Sequence, residues 1–270
     1  MISYPNAKIN IGLNILSRRA DGFHEIESVF YPVNWKDILE IVPSGDGQGK
    51  VEFSSTGIEI PGDSEGNLCE RAYRLLHDDF DLPSVKIHLH KVIPIGAGMG
   101  GGSADATFTL KMLNDLFELQ LDNQQLEKYA GKLGSDCPFF LDNAPKLVTG
   151  TGEVMKTINL DLSSYQLVLV NPGLHIGTAE AYKNVLLGTP EFSLLELMKS
   201  TPEEWKGKVK NGFEDSLFPS YPQIEKLKTS LYNIGALYSS MTGSGSTVFG
   251  IFQKSEIDLS PYNGMSVKVC

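Results

Sequence analysis

The sequence predicts a mixed α/β fold (α+β in its layering) built as two domains, and three observations carry that prediction. Strand-like and helix-like patterns interleave along the whole chain. The 270 residues, 41% of them hydrophobic, suffice for one large core or two modest ones. A glycine-rich stretch runs from a strand-like segment straight into an amphipathic helix, a junction suited to holding a ligand.

The elements follow in order. Ile9, Ile11, Leu13 and Ile15 alternate with Lys8, Asn10, Gly12 and Asn14, so residues 7–16 read as a strand with Lys8 and Asn10 side by side on its polar face. Residues 37–42 and 51–53 read as further strands. Val85, Ile87 and Leu89 alternate with Lys86, His88 and His90 in another half-buried strand. Beyond the glycines, Phe108, Leu110, Met112, Leu113, Leu116 and Phe117 give a helix a wide apolar face. A second helix starts near Asp122, an N-cap residue, and ends at Gly134. Residues 166–170 form a short buried strand, 178–187 and 221–232 helices, and 247–252 and 266–269 strands. Gly150-Thr151-Gly152-Glu153 reads as a seam between domains 1–155 and 156–270.

Lys and Arg number 23 against 33 Asp and Glu, a net charge of −10. Such a surface repels nucleic acid, so a phosphate compound has to be held by local donors. The three cysteines, Cys69, Cys137 and Cys270, are odd in number and form no CxxC pair, which argues against a disulfide framework or a zinc site. No apolar run approaches the roughly 20 residues that span a bilayer, and the first residues lack a basic stretch followed by an apolar one. A cytoplasmic protein without membrane or nucleic-acid partners is expected. Whether it is a monomer or a homodimer is left open.

Residues 94–106 read Pro94-Ile95-Gly96-Ala97-Gly98-Met99-Gly100-Gly101-Gly102-Ser103-Ala104-Asp105-Ala106, with five glycines in thirteen. Glycines admit positive φ and close backbone approach. A helix N-terminus adds unpaired N–H groups and partial positive charge, and together they make a phosphate cradle. Ser103 either caps the helix or donates to a phosphate oxygen. No lysine follows the last glycine, so this is not the GxxxxGK[ST] loop. A dinucleotide-binding GxGxxG would follow the first strand, and here almost a hundred residues precede it.

Transfer of a phosphoryl group to an alcohol needs charge neutralisation, a positioned hydroxyl and a proton acceptor. Asp136, between Gly134 and the apolar run from Cys137, is a candidate acceptor, and Lys8 is a candidate charge partner. The competing reading has Asp136 capping a turn and Lys8 facing water. Gly243-Ser244-Gly245-Ser246 forms a second small-residue loop that would let a ligand or another backbone approach, or would simply be a tight turn. His88 and His90 share a strand face without a third metal ligand nearby, which favours plain exposure.

These segments, in this order, resemble the GHMP kinase superfamily. The resemblance covers nearly the whole chain and rests on Ala7-Lys8-Ile9-Asn10, Arg18-Arg19-Ala20-Asp21-Gly22-Phe23-His24, the glycine loop, residues 133–140 and residues 211–217. It implies a ribosomal protein S5 domain 2-like N-terminal domain and a ferredoxin-like C-terminal domain, with the active site in the cleft between them. It implies Lys8 and Asp136 as the catalytic pair. Residues Pro94 through Ala104 would hold the ATP phosphates, with Asn67 and Lys91 near the adenine. The run at residues 18–24 marks the branch whose alcohol is a cytidine-diphosphate-linked methylerythritol. For that substrate the resemblance implies Asn10, Phe23 and His24, then Thr178 and Tyr182, with Tyr182 stacking on cytosine, and the loop Gly243, Ser244 and Gly245. Phe23 stands where tyrosine is usual, so a hydroxyl is lost. Mg²⁺ is expected with ATP, its protein ligands unassigned. The alternatives are another alcohol (homoserine, mevalonate or a sugar) or a non-catalytic nucleotide-binding regulator.

Overall fold

The computed structural model describes residues 1–45, 49–62, 66–183 and 185–270. Among them the chain runs β1 (Ile2–Ser3), β2 (Asn6–Arg18), β3 (His24–Lys36), β4 (Ile38–Pro43), β5 (Val51–Gly57), α1 (Leu68–Phe80), β6 (Val85–Lys91), α2 (Gly101–Leu116), α3 (Asn123–Leu133) and α4 (Phe139–Asp142). There follow β7 (Lys146–Thr149), β8 (Val154–Thr157), β9 (Tyr165–Asn171), α5 (Thr178–Lys183), α6 (Leu194–Leu197), α7 (Glu214–Leu217), α8 (Pro222–Asn233), β10 (Tyr238–Met241), β11 (Val248–Gln253) and β12 (Ser266–Val269). The chain divides into two compact units, each discontinuous in sequence. One holds residues 1–7, 34–95 and 100–144; the other holds 8–33, 96–99 and 145–270.

In the first unit the sheet order is β1-β4-β6-β5, with β5 parallel to β6 and the other pairs antiparallel. Alternation along β4 and β6 sends Leu39, Ile41, Val85, Ile87 and Leu89 to one face. Helices α1, α2 and α3 close that face with Ala72, Tyr73, Leu76, Leu110, Leu113, Leu126 and Ala130. Each helix supplies apolar residues three or four apart, which is why one stripe meets one sheet face. Two of these helices are also stopped at their starts by their own side chains. Asn67 accepts from the Cys69 amide while Glu70 accepts from the Asn67 amide. Asp122 and Gln125 do the same for α3.

In the second unit one antiparallel sheet is ordered β10-β11-β9-β12, and α8 packs Ile224, Leu227 and Leu231 into the same core as Val168, Val170, Val248 and Phe252. The other sheet is ordered β2-β3-β7-β8.

Several expectations change. The first strand is longer than read and is buried on both faces from Asn6 to Leu13, so Lys8, 3% exposed, does not face water. Strand β3 escaped the sequence reading because three consecutive buried residues, Ser28, Val29 and Phe30, and an internal Pro32 break its alternation in the middle. Helix α1 was also missed, although Asn67, Glu70 and the spacing of Cys69, Ala72, Tyr73 and Leu76 carried its signal. The segment Gly150 to Glu153, read as a seam, is the turn joining β7 to β8. The helix expected over 178–187 stops at Lys183, with Gly188 and Pro190 close behind; Asn184 lies outside the described residues. The three thiols form no disulfide, and burial pushes the Cys137 thiol up to about 11.

The capping box of α3 sits on the surface and its loss should act on stability alone. Asp122→Ala is expected to cost about 1 kcal/mol, read as a lower urea midpoint with an unchanged denaturant slope.

Candidate active site

Helix α2 begins without a side-chain cap. Its N-cap, Gly100, stands at φ +67°, a left-handed conformation that glycine adopts at no cost, and offers no side chain to cap the first turn. In α1 and α3 that role is filled. The first-turn amides of this 16-residue helix, with its positive dipole end, are therefore left for a ligand. Ser103 is the third helical residue and is not the cap; its hydroxyl lies beside the Cys137 thiol. Gly101 and Ala104 are buried, while Gly102 is exposed.

The turn carrying Asp136 is latched to this helix start. Thr107 Oγ1 lies 2.9 Å from the Ser103 carbonyl and 2.8 Å from that of Cys137, both acceptors for its proton. Cys137 N donates to Gly134 O and Phe139 N to Asp136 O, so residues 134–139 form a compact turn ahead of α4. An added Cβ on Gly134 would stand 3.9 Å from Ser103 Oγ. Asp136 is half-buried, beside the buried Phe139 and Phe140.

Behind the helix start lies a buried ion trio. Lys91 Nζ donates to Asp37 Oδ2 at 2.5 Å and to Asp105 Oδ2 at 2.6 Å. Asp37 Oδ1 accepts from the Val92 and Ile93 amides. Burial lowers the Lys91 pKa, but the Asp105 and Asp37 carboxylates outweigh it and leave it raised. Burial and the Asp37 charge push Asp105 up to about 7 against the pull of Lys91. Lys91, expected near an adenine, thus has its ammonium committed inside its own unit. Asn67 likewise spends its side-chain oxygen on capping α1.

In the second unit the structure gathers Lys8, Asn10, Gly98, Met99 and Thr242. The Lys8 amide donates to Met99 O at 2.9 Å, and Lys8 Nζ donates to Asn10 Oδ1 at 2.7 Å while sitting 4.1 Å over the Phe30 ring. Asn10 Nδ2 donates to Ser28 Oγ, whose hydroxyl donates to Gly12 O. The Asn10 amide donates to Thr242 Oγ1, which lies 3.1 Å from Gly98 O. The two glycine loops meet backbone to backbone: a Cβ on Gly98 would stand 2.0 Å from Thr242 O, and one on Gly243 would stand 2.9 Å from Gly98 Cα. At Gly243 what approaches is another backbone. Asn211 Nδ2 holds this loop through the carbonyls of Met241 and Gly243. Asn211 entered the sequence reading only as part of the resemblance, and Thr242 and Ser28 drew no role there, since their partners lie far along the chain.

His24 and Tyr182 stack on each other with centroids 4.6 Å apart, and Phe213 meets Tyr182 edge-on at 4.8 Å. Thr178 opens α5, exposed, and Phe23 is 65% exposed. Pro94 is half-buried, Ile95 and Gly96 are exposed, and Ala97 is buried. His88 lies within hydrogen-bond distance of Ser54 and Thr56, and His90 of Thr56. Among the described residues no group of three or more His, Cys, Asp or Glu could hold a metal ion. No helix of the described residues is long and apolar enough to cross a membrane.

Two outcomes follow from this geometry. Gly98→Ala forces its Cβ into Thr242 O and should lower turnover more than tenfold in a folded protein, checked by steady-state kinetics with circular dichroism. An Asp105 carboxyl that titrates near 3.8 unfolded and near 7 folded binds its proton more tightly in the folded chain. Its stabilising contribution is full below the unfolded value and lost as pH rises through 7. Thermal melts from pH 5 to 8 should show that loss, on the order of a few kcal/mol, and Asp105→Asn should flatten it.

Residues 67–143 match the family described as GHMP kinases N terminal domain, and residues 193–259 match GHMP kinases C terminal. The 4-diphosphocytidyl-2-C-methyl-D-erythritol kinase of Bacteroides fragilis is 48% identical over 256 residues, covering 95% of this chain and 93% of its own. That of Azobacteroides pseudotrichonymphae is 46% identical over 264 residues, covering 97% of each. A crystal structure of a 4-(cytidine 5'-diphospho)-2C-methyl-D-erythritol kinase superposes with a TM-score of 0.76 at 30% identity, covering 93% of this chain and 90% of its own. The mevalonate kinase of Methanococcus jannaschii, at 13% identity and a TM-score of 0.72, shares the fold. The mixed α/β architecture is that of the GHMP kinases, and at this identity and coverage the chain belongs to the 4-diphosphocytidyl-2-C-methyl-D-erythritol kinases among them.

Proposed function

We propose that the chain transfers the γ-phosphoryl of ATP to the 2-hydroxyl of 4-diphosphocytidyl-2-C-methyl-D-erythritol, a step of the non-mevalonate route to isoprenoid precursors. The observation that carries the kinase reading is the uncapped start of α2 behind a glycine loop, where helix donors point at no side chain of their own. The relatives' high identity carries the choice of alcohol. Homoserine and mevalonate kinases resemble the chain in fold alone, at 13–15% identity.

The residues then divide the work. Amides of Gly101, Gly102 and Ser103 receive phosphate oxygens, and the turns through Pro94, Ile95, Gly96, Ala97, Gly98, Met99 and Gly100 shape the loop. Asn67 and Lys91 mark the strand and helix ends beside which the adenine lies. Asp136 accepts the proton of the 2-hydroxyl as that oxygen bonds to the γ-phosphorus and the bond to the ADP oxygen breaks. Lys8, oriented by Asn10, offers positive charge to the acceptor oxygen and the transferring group. The stacked rings of His24 and Tyr182, with Thr178 and Phe23 nearby in sequence, suit a nucleobase, and the loop of Gly243, Ser244 and Gly245 keeps Gly98 in place. Both Lys8 and Asp136 are present, which disfavours a non-catalytic regulator.

Mg²⁺ supplies charge compensation at the β- and γ-phosphates. It takes most of its shell from phosphate and water oxygens, so one or two protein oxygens suffice. The Asp136 carboxylate, a hard oxygen donor, would fit that requirement. The two family matches fall on either side of residue 155, which supports 1–155 and 156–270 as sequence domains. A small-molecule substrate and a cytoplasmic location follow from the same reading.

An ADP-release assay with the cytidine substrate, homoserine and mevalonate tests the choice of alcohol, with turnover expected for the first alone. Asp136→Asn should lower kcat by roughly 10²–10⁴ while ATP still binds. Turnover confined to another alcohol, or an unchanged Asp136→Asn rate, would refute the corresponding assignment.

A further inference from the structure

We propose that Lys91 is a positioning residue for the nucleotide loop: wedged between Asp37 and Asp105, its ammonium sets the start of α2 against the end of β6 and so aims the first-turn amides, without touching the nucleotide. The proposal rests on the reading of residues 94–104 as the phosphate loop and deepens it.

The geometry ties three pieces of backbone to one ammonium. Lys91 is the last residue of β6. Asp37 takes the Lys91 ammonium on one oxygen and the amides of Val92 and Ile93 on the other, at 2.6 and 2.8 Å, so a single carboxylate fixes the side chain and the exit of the strand together. Asp105 lies four residues after Gly101 and therefore on the same face of α2, one turn along. A Cβ on Gly101 would stand 3.0 Å from both Lys91 Nζ and Ile93 Cγ2, so the helix start abuts the ammonium with no space between. The side chains of Lys91, Asp37 and Asp105 are 4%, 0% and 3% exposed, which seals the ammonium away from any ligand.

Burying three charges is a costly way to pack two elements, since apolar residues of similar volume do so at least as well. What an ion trio adds is a defined distance and direction. The trio is also unbalanced, with two carboxyls to one ammonium, and Asp105 Oδ1 has no hydrogen-bond partner among the described residues. Burial and the Asp37 charge hold Asp105 partly protonated near neutral pH. The groups that face it are Lys91 from β6, Asp37 from the β3–β4 link and the Cys69 thiol, kept neutral by its own burial, from α1. Above pH 7 the trio gains a negative charge directly behind amides that would hold phosphate.

The test uses the full chain with Asp105→Asn, Lys91→Met and the triple variant Asp37→Asn/Lys91→Met/Asp105→Leu, the last retaining a filled interior should Lys91→Met fail to fold. Steady-state constants for ATP and for the cytidine substrate are measured from pH 6 to 9, with calorimetric titration of a non-hydrolysable ATP analogue. In the wild type the KM for ATP should rise through pH 7 while that for the alcohol stays level, and Asp105→Asn should flatten the rise. Lys91→Met, or the triple variant, should raise the ATP KM and the analogue Kd by about tenfold with the alcohol KM unchanged. Folded variants with wild-type ATP constants, or a loss shared equally by both substrates, would overturn the positioning role. A wild type that binds no ATP analogue would overturn the phosphate-loop reading beneath it.

Discussion

Main-chain amides can serve an anion only where the protein leaves them unspent and keeps their direction fixed. The start of α2 meets the first condition through Gly100, which offers no side chain to cap the helix, in contrast to Asn67 and Asp122 at the neighbouring helices. It meets the second through contacts on two sides. Lys91, Asp37 and Asp105 hold it from the strand side, and Thr107 ties it to the turn bearing Asp136. A cap would have stabilised the helix by about 1 kcal/mol and consumed the donors. Stability forgone at this one helix end is what leaves donors for the proposed phosphate site.

The second unit solves a different problem, bringing two loops within backbone contact. Gly98 and Gly243 face each other at distances that exclude a Cβ on either. Thr242 joins them to β2 by receiving the Asn10 amide and lying within reach of Gly98 O. Asn10 in turn accepts a hydrogen bond from Lys8 and donates one to Ser28. A buried lysine is tolerable because its ammonium finds an amide oxygen and an aromatic face. Its side chain is thereby oriented in the absence of substrate, as the role proposed for it in preorganised charge stabilisation requires.

Local signals were readable where the chain speaks to its near neighbours. Asp122 with Gln125 three residues on, the alternation from Val85 to His90, and the apolar stripe from Phe108 to Phe117 each involve residues within a turn or two, and each element stands where the pattern put it. Strand β3 was harder to read: the consecutive buried residues Ser28, Val29 and Phe30 and the internal Pro32 interrupt an alternation that runs cleanly only from Val33 to Lys36. The tip at residues 150–153 is a hairpin turn, and a hairpin turn and an interdomain link use the same small residues.

By itself the sequence determined the chemistry on offer: a glycine loop entering a helix, a lysine and asparagine paired on one strand, and an aspartate in a turn. These depend on residue type and short spacing, and both are printed in the chain. Only the tertiary structure decided what each group is committed to. It turned Lys91 inward, because Asp37 and Asp105, 54 and 14 residues away, converge on its ammonium. It seated Lys8 beside Asn10 in a buried position, and it set Gly98 against Gly243 across more than a hundred residues of chain. Partners so distant in sequence leave no periodicity, since their meeting is fixed by how sheets and helices stack and not by any local preference.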